Sequence, residues 1–314
     1  MAELVNNFSW SYSAASDFSD CHRKRYLGKY AKWGGWTSEA TEEQCTTYRL
    51  SKMDNRYTLQ GEVVERSAVW MMRQQQKGVP VSAEEAYETI ARGLLRKAWD
   101  ESTRQLWKID VKKCCLHEHY YPDFLQLEQM ELMVTLSDAV KQCLQNFERV
   151  FVEKFAFIAP ENEVQITRVG MGDPEHFMFE GIKVYAIPDY VHKQGDRWFI
   201  YDWKSGKIRE EHRKQLGVYA LWAHVKHHVA PENIHISLEY LQTGQSIGSD
   251  ITEEDLEATR VEIRASVEEM KEYLVGGDIG SNEPLPRENW PQTSRFGFCR
   301  NCSFYELCAP ELDA

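Results

Sequence analysis

The chain has no apolar run near the roughly 18 residues that a membrane-spanning helix needs, so no transmembrane span is expected. Its opening residues, Met-Ala-Glu-Leu-Val-Asn-Asn, lack the basic segment followed by an apolar one that marks secretion, so no signal peptide is expected. The phosphate-cradling pattern G-x-x-x-x-G-K-S/T is also missing. Gly206-Lys207 is followed by Ile208 with no glycine loop before it, so no ATP-driven motor is encoded. Internal repeats and low-complexity tracts are absent. So is an excess of positive charge: 37 Lys and Arg against 49 Asp and Glu give −12 over 314 residues. That balance alone argues against non-specific nucleic-acid binding, although a local basic patch can still hold phosphates.

What is present reads as a globular chain. It is 42% hydrophobic, 12% aromatic and 27% charged, which is enough to build a sizeable core. Eight cysteines without a secretion signal argue for a reducing, cytoplasmic location and against disulfides. Cys45, Cys114, Cys115 and Cys143 have no ligand-like spacing, and burial is their default.

The first half reads as helical. Ser16-Asp17 is a cap for a helix to about Tyr30, ended by Trp33-Gly34-Gly35-Trp36. Residues 59–77 follow a helical period, and Ser82 with Glu85 forms a capping box for a helix to about Leu106. A third helical stretch covers about Asp123 to Phe155. The period then changes. Glu163–Val169, Ile182–His192 and Arg197–Lys204 alternate as strands, the last two joined as a hairpin through Lys193-Gln194-Gly195-Asp196. A helix over Glu210–His228, a strand over Ile234–Leu241 and a Thr252-capped helix to about Leu274 complete the pattern. The fold class expected is α/β or α+β, with a central mixed sheet flanked by helices. A helical subdomain at 60–160 precedes a sheet core at 161–245, and a Gly- and Pro-rich arm at 276–314 closes the chain. Without a metal, the arm's stretch from Gly276 to Phe298 holds little apolar content with which to dock itself.

Chemistry concentrates in the hairpin. Asp202 and Lys204 are two residues apart and so share a strand face. Asp189 lies near the end of the partner strand, roughly 5–8 Å from Asp202. Two carboxylates that close repel unless a cation lies between them, and hard oxygen ligands suit Mg²⁺ or Mn²⁺. A solvated D-x-K on a surface hairpin is the bland alternative, but the apolar run Trp198-Phe199-Ile200-Tyr201 marks a strand buried on both faces. On the next helix Gln215 and Tyr219 sit at i and i+4 and project from one face.

Cys299-x-x-Cys302-x5-Cys308 ends the chain, and Cys21 stands near its start. Three clustered thiolates plus one distant one make a four-ligand centre that staples the termini. Zinc and an iron–sulfur cluster both accept four thiolates.

Taken in order, Phe8-Ser9-Trp10-Ser11-Tyr12-Ser13, Cys21-His22-Arg23-Lys24-Arg25-Tyr26, Gly61 to Glu65, Asp189, Asp202-x-Lys204, Gln215-x3-Tyr219 and the cysteine triplet resemble the RecB-like PD-(D/E)xK nucleases that carry an iron–sulfur staple. That group includes CRISPR-adaptation nucleases and the AddB nuclease domain. The resemblance implies a restriction-endonuclease-like core and Mg²⁺- or Mn²⁺-dependent hydrolysis of DNA, on single strands or ends, with exonuclease action favoured. It implies metal binding by Asp189 and Asp202, a catalytic role for Lys204, DNA contacts from Gln215 and Tyr219, and a [4Fe–4S] cluster on Cys21, Cys299, Cys302 and Cys308. Partners would be DNA and a helicase or a CRISPR, recombination or defence protein, with no membrane. The chain departs from the pattern twice. His22 follows the first cysteine where proline is common, and Glu65 stands where the family often has histidine four residues after glycine. Glutamate also ligates Mg²⁺ or Mn²⁺, so Glu65 is the expected further ligand, with Glu62 its rival. The alternative from another class is a catalytically silent DNA-end-binding scaffold with a structural metal cluster.

Overall fold

The structure is a computed structural model that describes residues 5–125, 128–209 and 211–312. A short strand β1 (Ser9–Trp10) leads into α1 (Tyr12–Asp20) and α2 (His22–Tyr26), which widens into a π turn at Leu27–Ala31. The expected single helix therefore differs at both ends of its first half. It starts earlier, because the Ser11 side chain accepts from Ala14 N at 3.1 Å, and it breaks at Cys21, whose backbone is extended. Next comes α3 (Glu42–Leu50), unanticipated although Thr41 and Gln44 form a capping box.

The helical layer follows: α4 (Arg56–Gln76), α5 (Ala83–Ala86), α6 (Arg92–Thr103), α7 (His117–Tyr120), α8 (Gln129–Asn146) and α9 (Val152–Ala156). The Ser82–Glu85 box is present, and a π turn at Tyr87–Ala91 joins α5 to α6. The stretch expected to be helical from Asp123 begins only at Gln129, because Pro122–Phe124 forms a 3-10 turn first.

Two sheets carry the second half. Strands β2 (His176–Phe179) and β3 (Ile182–Tyr185) join β1 in the order β1-β3-β2. Strands β4 (Tyr190–Gln194), β5 (Arg197–Lys204), β6 (Ile234–Tyr240) and β7 (Gln245–Asp250) form the second sheet in that order. Within it β5 and β6 are parallel, and the other neighbours are antiparallel. Helix α10 (Glu211–His227) makes the crossover between β5 and β6; its expected first residue, Glu210, lies outside the described residues. Helix α11 (Glu253–Lys271) starts at the Thr252 cap as expected. Helices α12 (Phe296–Cys299) and α13 (Tyr305–Leu312) end the chain.

Three expectations of strand pairing need correction. Ile182–His192 is not one strand: Pro188 has no N–H to give a ladder, and the break sends β3 and β4 into different sheets. Glu163–Val169 is not a strand either. Only Glu163 bridges His192, with Val164 N donating to Val191 O at 3.0 Å, after which the chain turns away through Gly170 and Gly172. The edge strand β7 was unforeseen because its residues, Gln-Ser-Ile-Gly-Ser-Asp, are almost all polar.

Strand β5 is the pivot. Trp198 and Ile200 join an apolar cluster with α10 and α11, while Tyr201 and Trp203 join one with α4, α8 and α9. Burial on both faces, as the sequence suggests, fixes the register that delivers Asp202 and Lys204 to the α10 side. A third, small cluster of Leu27, Leu50 and Phe304 lies under the tail. The arm packs on the core through an aromatic residue. Trp290 is 1% exposed and packs on Tyr273, Tyr26 and Tyr30 at centroid distances of 4.8, 5.5 and 5.6 Å. One large aromatic supplies what the arm's composition concealed.

Candidate active site

The β4–β5 hairpin places the first two carboxylates. Tyr190 pairs with Tyr201, and Asp189 N donates to Tyr201 O at 3.2 Å, so Asp189 stands opposite Asp202. The Asp189 Oδ2 atom accepts from Trp203 N at 2.7 Å. Asp202 is 3% exposed. Its carboxylate lies 2.6 Å from Lys204 Nζ, the i+2 neighbour on the same strand face.

Helix α10 completes the arrangement. Lys204 Nζ donates to Gln215 Oε1 at 2.8 Å, Gln215 Nε2 donates to the Tyr219 hydroxyl at 2.6 Å, and that hydroxyl donates to Asp202 Oδ1 at 3.5 Å. The four side chains thus form a closed ring. Its i, i+4 half is the helix spacing read from the sequence. Tyr219 is 5% exposed with its hydroxyl engaged inside the ring, so in this geometry it braces Asp202, while Gln215 is half-buried at the rim.

Glu65 reaches the same centre from α4. Its charge and that of Asp202 both raise the Asp189 pKa, which burial already pushes well above the usual carboxylate range. Burial likewise raises Glu65, with Glu62 and Asp202 adding to the effect and Arg168 opposing it. Asp202 is raised by burial against the pull of Lys204 and Tyr219. Asp202 and Glu65 thus both disfavour ionisation of the buried Asp189, and Lys204 and Arg168 are the cations that stand beside them. Glu62 goes elsewhere: it pairs with Arg66 at 3.0 Å on an exposed flank of α4.

Sequence reasoning missed Arg168. Its guanidinium pairs with Glu65 and donates to Asp189 O at 2.8 Å, which ties the 163–169 segment to the centre. No motif signals it, because it comes from an irregular segment. Gln60, which donates to Ser205 O at 2.8 Å, and His212, 3.1 Å from the Tyr240 hydroxyl, were also missed. Burial first, then Lys204 and Arg209, push the His212 pKa down to about 4, so at neutral pH it is an uncharged imidazole. Lys207 and Arg209 are exposed beyond the end of β5, whereas Lys214 is paired with Glu262 at 2.7 Å.

The cysteines converge. The helix break exposes Cys21 between α1 and α2, and Cys302 N donates to Cys299 O at 3.0 Å in the turn after α12. Cys21, Cys299, Cys302 and Cys308 all line one cavity of 210 Å³. Burial, and then the neighbouring cysteines among other charges, push Cys302 up to about 11 and Cys308 up to about 12. The tail is also tied by Arg23, which sequence reasoning overlooked. It donates to Trp290 O at 2.8 Å and to Glu311 Oε2 at 2.6 Å.

Among the described residues, no group of three or more His, Cys, Asp or Glu side chains is arranged to hold a metal ion as it stands. At the carboxylates, Lys204 and Arg168 occupy the places beside Asp202 and Glu65. The donor chemistry nonetheless fits in both places: hard carboxylate oxygens suit Mg²⁺ or Mn²⁺, and four thiols round one cavity suit zinc or an iron–sulfur cluster.

The family model of the PD-(D/E)XK nuclease superfamily matches residues 9–309, so the chain belongs to that superfamily. It is accordingly a metal-dependent nuclease, a hydrolase of phosphodiester bonds, on a restriction-endonuclease-like mixed α/β fold. No curated protein matches the chain significantly. Among the described residues no helix is long and apolar enough to cross a membrane.

Proposed function

We propose that this nuclease hydrolyses DNA, on single strands or ends and as an exonuclease, with Mg²⁺ or Mn²⁺ held by Asp189, Asp202 and Glu65. The observation that carries the reading is the ring of Asp202, Lys204, Gln215 and Tyr219 set against Asp189 and Glu65. Asp189, Asp202 and Glu65 would hold the divalent ion, which when bound would supply an activated water and offset charge on the leaving oxygen. Lys204 keeps a positive charge beside the scissile position, and Gln215 aims it. Tyr219 holds Asp202 in orientation, and Gln215 is the ring member placed to meet the nucleic acid. Lys207 and Arg209 neutralise phosphates entering past β5.

Cys21, Cys299, Cys302 and Cys308 hold a [4Fe–4S] cluster, with zinc the alternative for the same donor set. Its role is structural, clamping the tail to α1 and α2. The whole chain serves as one nuclease domain, with 60–160 as its helical subdomain, acting in the cytoplasm. Unwinding comes from a partner of helicase, CRISPR, recombination or defence type, since no motor motif is present.

The pairing of Arg168 with Glu65, one of the proposed metal ligands, is the observation behind a second reading, a silent DNA-end-binding scaffold. End-labelled single-stranded DNA separates the two. Cleavage that needs Mg²⁺ or Mn²⁺ and is lost in Asp202→Asn supports the nuclease, whereas tight binding without metal-dependent cleavage supports the scaffold.

A further inference from the structure

Beside α3 the surface departs from the chain's overall acidity. A cleft of 400 Å³ runs between α3, the start of α4, α6 and the loop before α7. Lys52, Arg66, Lys97, Lys112 and Lys113 line it, against the carboxylates of Asp54, Glu62 and Glu101. Arg66 is paired with Glu62 at 3.0 Å, and Lys97 and Lys113 share Glu101 at 4.0 and 3.1 Å. Lys52 and Lys112 enter no ion pair among the described residues, and both are exposed.

Aromatic rings continue this cleft. Lys52 Nζ lies 5.3 Å from the centre of the Tyr48 ring, which itself lines the cleft. Trp36 meets Tyr48 at 5.5 Å and Trp33 at 5.1 Å. Trp36 is 41% exposed, a large apolar area left in water. Gly35 makes this possible. A Cβ there would lie 2.6 Å from Tyr48 Cβ and would also strike the Gln44 carbonyl, so only glycine lets the turn rest on α3. Lys32 extends the basic edge, its pKa lowered by burial and then by Lys52 and Arg25.

One exposed indole, backed by the half-buried Tyr48 ring and flanked by two lysines outside any ion pair among the described residues, matches a strand whose bases are free to stack and whose phosphates need neutralising. A duplex keeps its bases stacked inside and cannot use Trp36 in this way. We infer that Trp36, Tyr48, Lys52 and Lys112 form an accessory site for single-stranded nucleic acid, separate from the catalytic carboxylates; this rests on reading single strands as the substrate. Both places border α4: Glu62 lines the cleft, while Glu65, one helical turn on, belongs to the catalytic centre.

The test uses the full chain in EDTA, with fluorescein-labelled oligothymidylate and a matched duplex read by anisotropy. Trp36→Ala is expected to weaken oligothymidylate binding by about fivefold or more, and Trp36→Phe to keep most of it. Replacing Lys52 and Lys112 together by alanine is expected to flatten the slope of log K against log salt by roughly 1.4, about 0.7 per phosphate contact. Hydrolysis of bis(p-nitrophenyl) phosphate with Mn²⁺ stays at the wild-type rate in all these variants. A wild-type chain that does not bind oligothymidylate, or Trp36→Ala with undiminished affinity, overturns the site. If Trp36→Ala melts early, the lysine pair decides, and an unchanged salt slope overturns it. The substrate reading fails on a different result: a wild-type chain that binds the strand but leaves it uncut with Mg²⁺ or Mn²⁺.

Discussion

At the residue scale, the site is defined by charges that burial makes costly. Asp202→Asn keeps the shape and removes the charge, so metal-dependent cleavage should be abolished while the fold persists, checked by single-turnover cleavage beside circular dichroism. Lys204→Ala should lower turnover by about 10²- to 10³-fold, the range for one preorganised charge aimed at a transition state. The pKa of Asp189 yields a stability prediction with a definite sign. Its carboxyl is raised in the folded chain from the usual 3.8, by burial and then by Asp202 and Glu65. Above pH 4 the native state therefore holds a proton that the unfolded chain has released, and stability without metal falls as pH rises through the raised value. Asn at 189 can still accept from Trp203 N and carries no charge. Asp189→Asn in EDTA should melt higher than wild type at pH 8, with the gap closing towards pH 5. A lower melting temperature at pH 8 would contradict the assigned repulsion.

At the element scale, strand β5 does most of the positioning because both of its faces are buried. Its odd-numbered residues from Tyr201 pack on the helical layer, so its even-numbered ones can face only α10. That is why a short D-x-K, weak as a motif, was legible once its apolar flanks were weighed. The cut between β3 and β4 was legible too, had Pro188 been given its full weight as a residue without an N–H. The 163–169 segment was not: its alternation is that of a strand, yet its fate is set by Arg168 reaching Glu65 across the chain. For the arm, Trp290→Ala should cost about 3–5 kcal/mol, the usual range for emptying a buried aromatic site. Thermal melts with and without chelator check this. The loss should be similar in both, because Trp290 docks on the rings of Phe18, Tyr26, Tyr30 and Tyr273.

At the scale of the whole molecule, the first two helices meet the tail. Residues from α1 and α2 face the tail through a cavity lined by four cysteines and through Arg23, which reaches Glu311. Closing a loop as long as the chain costs entropy, and the proposed cluster, bound only by the folded form, would offset part of it. Protein purified without oxygen should be brown and contain iron and sulfide. Cys302→Ser should bleach it, lower its melting temperature and reduce cleavage indirectly. Colourless protein with one tightly held zinc would replace iron while keeping the clamp, and wild-type stability in Cys21→Ser would remove the clamp.

By itself the sequence determined what depends on spacing along one element: the shared strand face of Asp202 and Lys204, the helix face of Gln215 and Tyr219, the Ser82–Glu85 capping box, and the triplet Cys299, Cys302 and Cys308. Local geometry repeats with fixed periods, so such pairs are legible without a partner. Only the tertiary structure decided what depends on contacts between distant segments. It put Glu65 rather than Glu62 beside the aspartates, drew Arg168 to them, closed the ring through Tyr219, sent β3 and β4 to different sheets and seated Trp290 under the termini. Those outcomes turn on how separate elements share buried space, and no period in the chain records which distant side chain will fill it.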